Sequence, residues 1–146
     1  MKNNNPNPWD FSNIDKNLIS PDGHFRVEFY NLNEIAMGGP IGGECYLISP
    51  TDDRIKLNDW CGGPIIWDDS SRKLALPIWT LNREQKIAIV DIENNTITIY
   101  SRLFRVLDLR TFDKNIITGY DSPIHKTSNV EFYILKEKAE SVAELK

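Results

Sequence analysis

Residues 86–100 constrain this chain more than any other stretch. Lys86-Ile87-Ala88-Ile89-Val90-Asp91-Ile92 is apolar and rich in β-branched residues, and Thr96-Ile97-Thr98-Ile99-Tyr100 is β-branched almost throughout. Such side chains are stiff at χ1 and pack well on a pleated surface. Glu93-Asn94-Asn95 joins the two runs, and Asn tolerates the left-handed φ that a tight hairpin needs. The segment therefore reads as an antiparallel hairpin. Once it is in place, the rest of the chain reads in the same terms, as short strands separated by turns.

Ser20-Pro21-Asp22-Gly23 is a turn, because Pro presets φ and Gly accepts positive φ. His24 to Tyr30 then alternates, with Phe25, Val27 and Phe29 on one face, the period of a half-buried strand. Cys45 to Ile48, Arg54 to Leu57, Ile65 to Trp67 and Lys73 to Trp79 read as further strands, and so do Leu103 to Leu109, Asn115 to Tyr120 and Val130 to Leu135. Pro77 cannot donate to a ladder, so it is expected at an edge or a bulge. Lys136 to Lys146 holds Lys, Glu, Ala, Val and Leu without Gly or Pro, and its propensities predict a short helix. Residues 1–8, rich in Asn and Pro, read as a disordered arm, and residues 9–146 as one β-rich domain opening at Trp9 and Phe11.

Charge and composition exclude several classes. Among 146 residues, 17 Lys and Arg stand against 21 Asp and Glu, a formal charge of -4, which argues against nucleic acid as the main partner. Charged residues at 26% and hydrophobic residues at 40% exclude a disordered chain, a collagen-like repeat and a coiled coil. No apolar run approaches the roughly 18 residues of a membrane span, and the N-terminus lacks a secretory h-region. The expected compartment is the cytoplasm, with Cys45 and Cys61 as free thiols unless the fold brings their Cα atoms within about 7 Å. There is no CxxC, no HxxxH and no calcium loop, so neither metal nor cofactor is expected.

The turns recur. Ser20-Pro21-Asp22-Gly23, Asp68-Asp69-Ser70-Ser71 and Phe112-Asp113-Lys114 each precede a strand, and a second strand with an aliphatic core follows each. The spacing, roughly 40 to 50 residues, is that of a four-stranded blade. With Trp67-Asp68-Asp69-Ser70 followed by Lys86 to Asp91 and a hairpin, residues 20 to 135 resemble blades of the WD40 and TolB-like propellers. A closed propeller needs at least about four blades, and this length holds about two and a half. The expected fold is all-β: antiparallel meanders as a partial propeller-like stack or a β-sandwich, with a short C-terminal helix.

Gly38-Gly39-Pro40-Ile41-Gly42-Gly43 lacks the Lys of a phosphate loop and reads as a hairpin tip. Asp59-Trp60-Cys61-Gly62-Gly63 places a Trp in a loop, as a core plug or as an anchor for a partner. Asp52, Asp53, Asp59, Asp68 and Asp69 sit in or beside turns. Turn chemistry accounts for each alone, whereas together they form an acidic patch suited to a basic partner. His24 and His125 could act with Lys126, Glu28 or Asp121 as acid and base, but nothing in the sequence fixes their geometry and solvent-facing histidines are the ordinary case; no Gly-x-Ser-x-Gly elbow is present. No catalytic set stands out.

In size, composition and style the whole chain resembles the immunity proteins of bacterial polymorphic-toxin systems, including contact-dependent growth inhibition. That resemblance implies a non-catalytic protein that binds a cognate toxin domain and neutralises it. Asp52, Asp53, Asp59, Trp60, Asp68 and Asp69 would then contact the partner, a basic nuclease domain being one such toxin. Two alternatives stay open: a small-molecule-binding or hydrolytic β-domain enzyme, and a subunit of a propeller-like oligomer.

Overall fold

A computed structural model describes residues 6–124 and 126–145. Its strands are β1 (Arg26–Glu34), β2 (Ile41–Ile48), β3 (Arg54–Cys61), β4 (Ile66–Trp67), β5 (Lys73–Trp79), β6 (Gln85–Asp91), β7 (Thr96–Tyr100), β8 (Leu107–Asp113), β9 (Ile116–Asp121), β10 (Ser128–Tyr133) and β11 (Ala139–Glu144). All pairings are antiparallel. A larger sheet runs β1-β2-β3-β5-β6-β7-β11, with β4 paired to β5, and a smaller one runs β10-β9-β8. The all-β expectation holds.

The hairpin of residues 86–100 forms as its residues dictate. Asn95 takes φ 58°, and Asp91 receives the backbone N–H and side-chain amide of Asn94 at 3.1 and 2.9 Å. Alternation then sorts side chains into two cores. Leu74, Leu76, Ala88 and Val90 join Val27, Phe29, Cys45, Leu47 and Leu57 in the first, which includes Phe11 and Leu18 of the N-terminal segment. Ala75, Ile87 and Ile89 face the other way, against Leu107, Leu109, Ile117 and Phe132 of the smaller sheet. β5 and β6 are therefore buried on both faces, which is why they read as continuous apolar runs. The smaller sheet packs on their back.

Four expectations need correction. The C-terminal segment is strand β11 on the edge of β7, not a helix. Helix propensity there amounts to tenths of a kcal/mol per residue. It loses to a ladder on an otherwise open edge and to the burial of Leu145 in the first core. Pro77 lies inside the sheet, opposite Ile87 of β6. Its carbonyl accepts the Gly62 N–H at 2.9 Å. A residue's N–H and C=O point to the same side of a strand, so the missing donor faces the interruption between β3 and β4, where no ladder requires it. Of the glycine run, Gly38 and Gly39 make the tip, whereas Gly42 and Gly43 lie within β2. Finally, β8 starts at Leu107 rather than Leu103.

Residues 1–5 of the expected arm lie outside the described residues. Asn7 and Asp10 exchange backbone bonds at 3.1 and 2.9 Å, Pro8 is buried, and its carbonyl accepts the Ile41 N–H at 3.0 Å. Among the described residues no helix is long and apolar enough to cross a membrane.

Candidate functional site

The inner positions of β1, β2 and β3 are taken by the first core, so the alternate positions form an outward face. On β1 these are Arg26, Glu28 and Tyr30, on β2 Gly42, Glu44 and Tyr46, and on β3 Arg54 and Lys56. Their side chains bond one another. Glu28 sits between two arginines: Arg26 donates from Nε and Nη2 at 3.1 and 2.9 Å, and Arg54 Nη2 lies 3.5 Å away. The Tyr30 hydroxyl donates to Glu28 at 2.5 Å. Arg54 also lies over the Tyr30 ring, 5.0 Å from its centroid. Tyr30 meets Tyr46 edge to face, with centroids 5.2 Å apart. Glu44 repeats the pattern, accepting from Asn31 at 2.8 Å and from Tyr46 at 3.0 Å, with Lys56 at 3.7 Å. Lys56 also pairs with Asp59.

The electrostatics follow from these bonds. The Tyr30 hydroxyl, and after it Arg26, hold Glu28 below its ordinary value against the opposing effect of desolvation. Asn31 and Tyr46 do the same for Glu44. In return, the carboxylates raise Tyr30 and Tyr46, and Asp59 raises Lys56. Exposed ion pairs of this kind add little to stability. Their consequence here is order: two tyrosines, two glutamates and three cations are held in one geometry before any partner arrives.

The face continues at the far end of β2. Gly42 lies beneath two indoles, and a Cβ there would fall 2.8 Å from Trp79 Cδ1 and 2.9 Å from Trp60 Nε1. Only Gly admits this approach. Trp79 is buried and donates to the Ile41 carbonyl at 3.3 Å. Trp60 is half-buried, 6.0 Å from Trp79 between ring centroids. Trp60 is thus neither a plug of the first core nor a loop residue, but a strand residue on the outward face.

Four of the six residues singled out from the sequence flank or belong to β3, toward its opposite ends. Asp52 and Asp53 occupy the β2–β3 turn, and Asp59 and Trp60 lie on β3. Asp52 takes φ 64° and lies 3.8 Å from Arg26, while Asp53 accepts from Thr51 at 2.9 Å. Asp68 and Asp69 stand apart in the β4–β5 turn. Asp68 is engaged there, receiving the N–H groups of Arg72 and Lys73, each at 3.1 Å, and the Ser70 hydroxyl at 2.8 Å. Asp69 is exposed.

Sequence reasoning weighed Glu28 only beside the histidines and missed Arg26, Tyr30, Glu44, Tyr46, Arg54 and Lys56. Their signal was present as polar and aromatic residues on the even positions of alternating strands. What no single strand shows is that Glu28 pairs with Tyr46 and Tyr46 with Lys56 across the sheet.

Other chemistry-bearing groups lie elsewhere. His24 is exposed, 3.3 Å from Asp22, and His125 lies outside the described residues. Cys45 and Cys61 are free and wholly buried in the first core, where burial and the neighbouring Cys45 raise the Cys61 thiol well above its ordinary value. Among the described residues no three His, Cys, Asp or Glu side chains are placed to hold a metal ion. A cavity of about 230 Å³ lies on the smaller sheet, lined by Arg110, Thr118, Tyr120, Asn129 and Glu131. Beside it Asp108, nearly inaccessible, accepts from Arg110 at 2.6 Å. No family model, curated protein or solved structure matches this chain.

Proposed function

We propose that this chain is a non-catalytic protein-binding module, an immunity protein that neutralises a toxin domain by seating it on the outward face of β1, β2 and β3. The observation that carries this reading is the mutual locking of Glu28, Tyr30, Glu44, Tyr46, Arg54 and Lys56. Tyrosine and arginine are enriched at binding hot spots, and tyrosine offers large contact area for little lost rotamer freedom. Side chains ordered before contact lower the entropic cost of association. Trp60 extends the same face with a further aromatic surface, and Asp52, Asp53 and Asp59 lend its rim negative charge. Charge at a rim acts chiefly on the rate of association and on its salt dependence.

The experiment has two stages. The chain is used to capture a stoichiometric partner, and that partner is then expressed in cells with and without it. The reading expects the partner alone to stop growth and the chain to restore it. Charge reversal at Asp52, Asp53 and Asp59 should slow association and flatten its salt dependence. Tyr46→Ala with Arg54→Glu should abolish protection while the protein stays folded. A folded double variant that protects fully removes the face from the mechanism, and a harmless partner removes the immunity reading.

A further inference from the structure

The smaller sheet carries one irregularity. Leu109 stands opposite Gly119 and Thr111 opposite Thr118, so β8 holds one residue more than β9 between them, and that residue is Arg110. A bulge of this kind re-aims a side chain. Arg110 and Thr111 are both exposed, while Leu109 and Phe112 on either side are buried in the core beneath. Gly119 permits the close approach of β8 here, because a Cβ would strike the Asp108 carbonyl oxygen.

Register builds a site around the bulge. Tyr120 of β9 stands between Asp108 of β8 and Asn129 of β10, and Thr118 stands between Thr111 and Glu131. Directly opposed residues of an antiparallel pair share a face. On that outward face Arg110, Thr118, Tyr120, Asn129 and Glu131 line the cavity of about 230 Å³. It is smaller than a pocket for a drug-sized ligand and larger than the space one water fills.

Charge says what fits. Asp108 lies at the cavity's edge with 3% of its side chain exposed. One of its oxygens accepts from Arg110 at 2.6 Å, and the other has no hydrogen-bond partner among the described residues. Arg110 is the one cation in the described walls, and Asp108 already holds it. The Glu131 carboxylate accepts from the Tyr133 hydroxyl at 3.4 Å and pairs with no cation among the described residues. Arg102, nearby, goes to the Glu131 backbone carbonyl and to the Glu137 side chain. Two carboxylates thus share one guanidinium, and an anion would meet a committed arginine and an unpaired glutamate. A carboxylate receives a guanidinium through two parallel bonds, and a guanidinium also stacks on an aromatic face. Glu131 supplies the first, and Tyr120, 41% exposed, supplies the second.

We propose that this cavity on the smaller sheet binds a guanidinium group, with Glu131 as its counter-charge and Tyr120 as its stacking face. The site lies on a different sheet from the β1–β3 face and does not depend on it. The group could belong to a free small guanidine or to an arginine side chain of another protein.

NMR of the full chain, titrated with methylguanidinium chloride, tests this, with sodium acetate and sodium chloride as controls. Saturable shifts are expected at Thr118, Tyr120, Asn129 and the Glu131 carboxyl, and neither control should reproduce them. Methylammonium, which lacks the planar fork, should bind several-fold more weakly. Glu131→Gln keeps the shape and removes the charge, so it should weaken methylguanidinium about tenfold or more. Asn129→Asp adds a carboxylate to the wall and should tighten it. The peptide Gly-Arg-Gly separates the two sources: equal or tighter binding assigns an arginine side chain, and exclusion assigns a free guanidine. Shifts that do not saturate, that acetate or methylammonium matches, or that survive Glu131→Gln unchanged overturn the proposal. None of these results bears on toxin binding, since the probes are small and no partner is present.

Discussion

Asn13 stands in for a β-strand beside Phe29. Its side-chain oxygen accepts the Phe29 N–H at 2.7 Å and its nitrogen donates to the Phe29 carbonyl at 2.8 Å, the two bonds a neighbouring strand would make. The β1 edge of the larger sheet is thereby capped at Phe29 by a residue sixteen positions earlier in the chain. Asn13→Ala should cost about 1–3 kcal/mol, two hydrogen bonds at roughly 0.5–1.5 each. Urea unfolding would measure the loss. The same variant should aggregate more readily, because it uncovers the middle of the β1 edge.

Gly42 sets the spacing of the two indoles. A Cβ at this position meets Trp79 and Trp60 at under 3 Å, and Trp79 is buried and tethered, so Trp60 must move outward. Gly42→Ala should cost about 1–3 kcal/mol through overpacking. Tryptophan emission should shift to the red as Trp60 enters water. An unchanged spectrum would show that Trp60 does not rest on Gly42.

Tyr30→Phe tests the ordered face through pH. Glu28 is held below its ordinary 4.5, first by the Tyr30 hydroxyl. A lowered carboxylate means that the folded state binds fewer protons than the unfolded one. Its stabilisation is therefore complete above pH 4.5 and is lost as pH falls through the folded value. Without the hydroxyl, Glu28 should titrate closer to 4.5 by carboxyl NMR. The stability difference between wild type and variant should be full at neutral pH and shrink in acid.

Asp108 should behave in the opposite sense. Burial raises its pKa above the ordinary 3.8 despite the opposing Arg110. Here the folded state binds more protons than the unfolded one, so stability falls as pH rises from 3.8 through the raised folded value. Asp108→Asn removes that titration. Relative to wild type, the variant should gain stability across this interval, read from urea midpoints at pH 3 and pH 6. A constant difference would mean that Arg110 fully offsets the burial of the charge.

Much of the architecture is legible in local sequence, for reasons that particular residues show. Val27 and Phe29 alternate with Glu28 and Tyr30 because one face is buried, and Asn95 marks a hairpin because it accepts φ 58°. The candidate site was legible only in part. Trp60 and three aspartates drew notice as conspicuous types, but the tyrosines, glutamates and cations beside them are ordinary strand residues one at a time. Their significance lies in pairings such as Glu28 with Tyr46, which depend on the register between strands.

By itself the sequence determined the strands, most of the turns and the all-β class, since these follow from side-chain periodicity and backbone preference within a few residues. Tertiary structure decided the rest. It made Ala139–Glu144 a strand, because an open edge at β7 offered bonds that helix propensity could not match. It admitted Pro77 to the sheet interior by placing the gap between β3 and β4 beside the missing donor. It capped β1 at Phe29 with the side chain of Asn13. Each of these outcomes depends on which distant backbone stands opposite, and local preference carries no record of that.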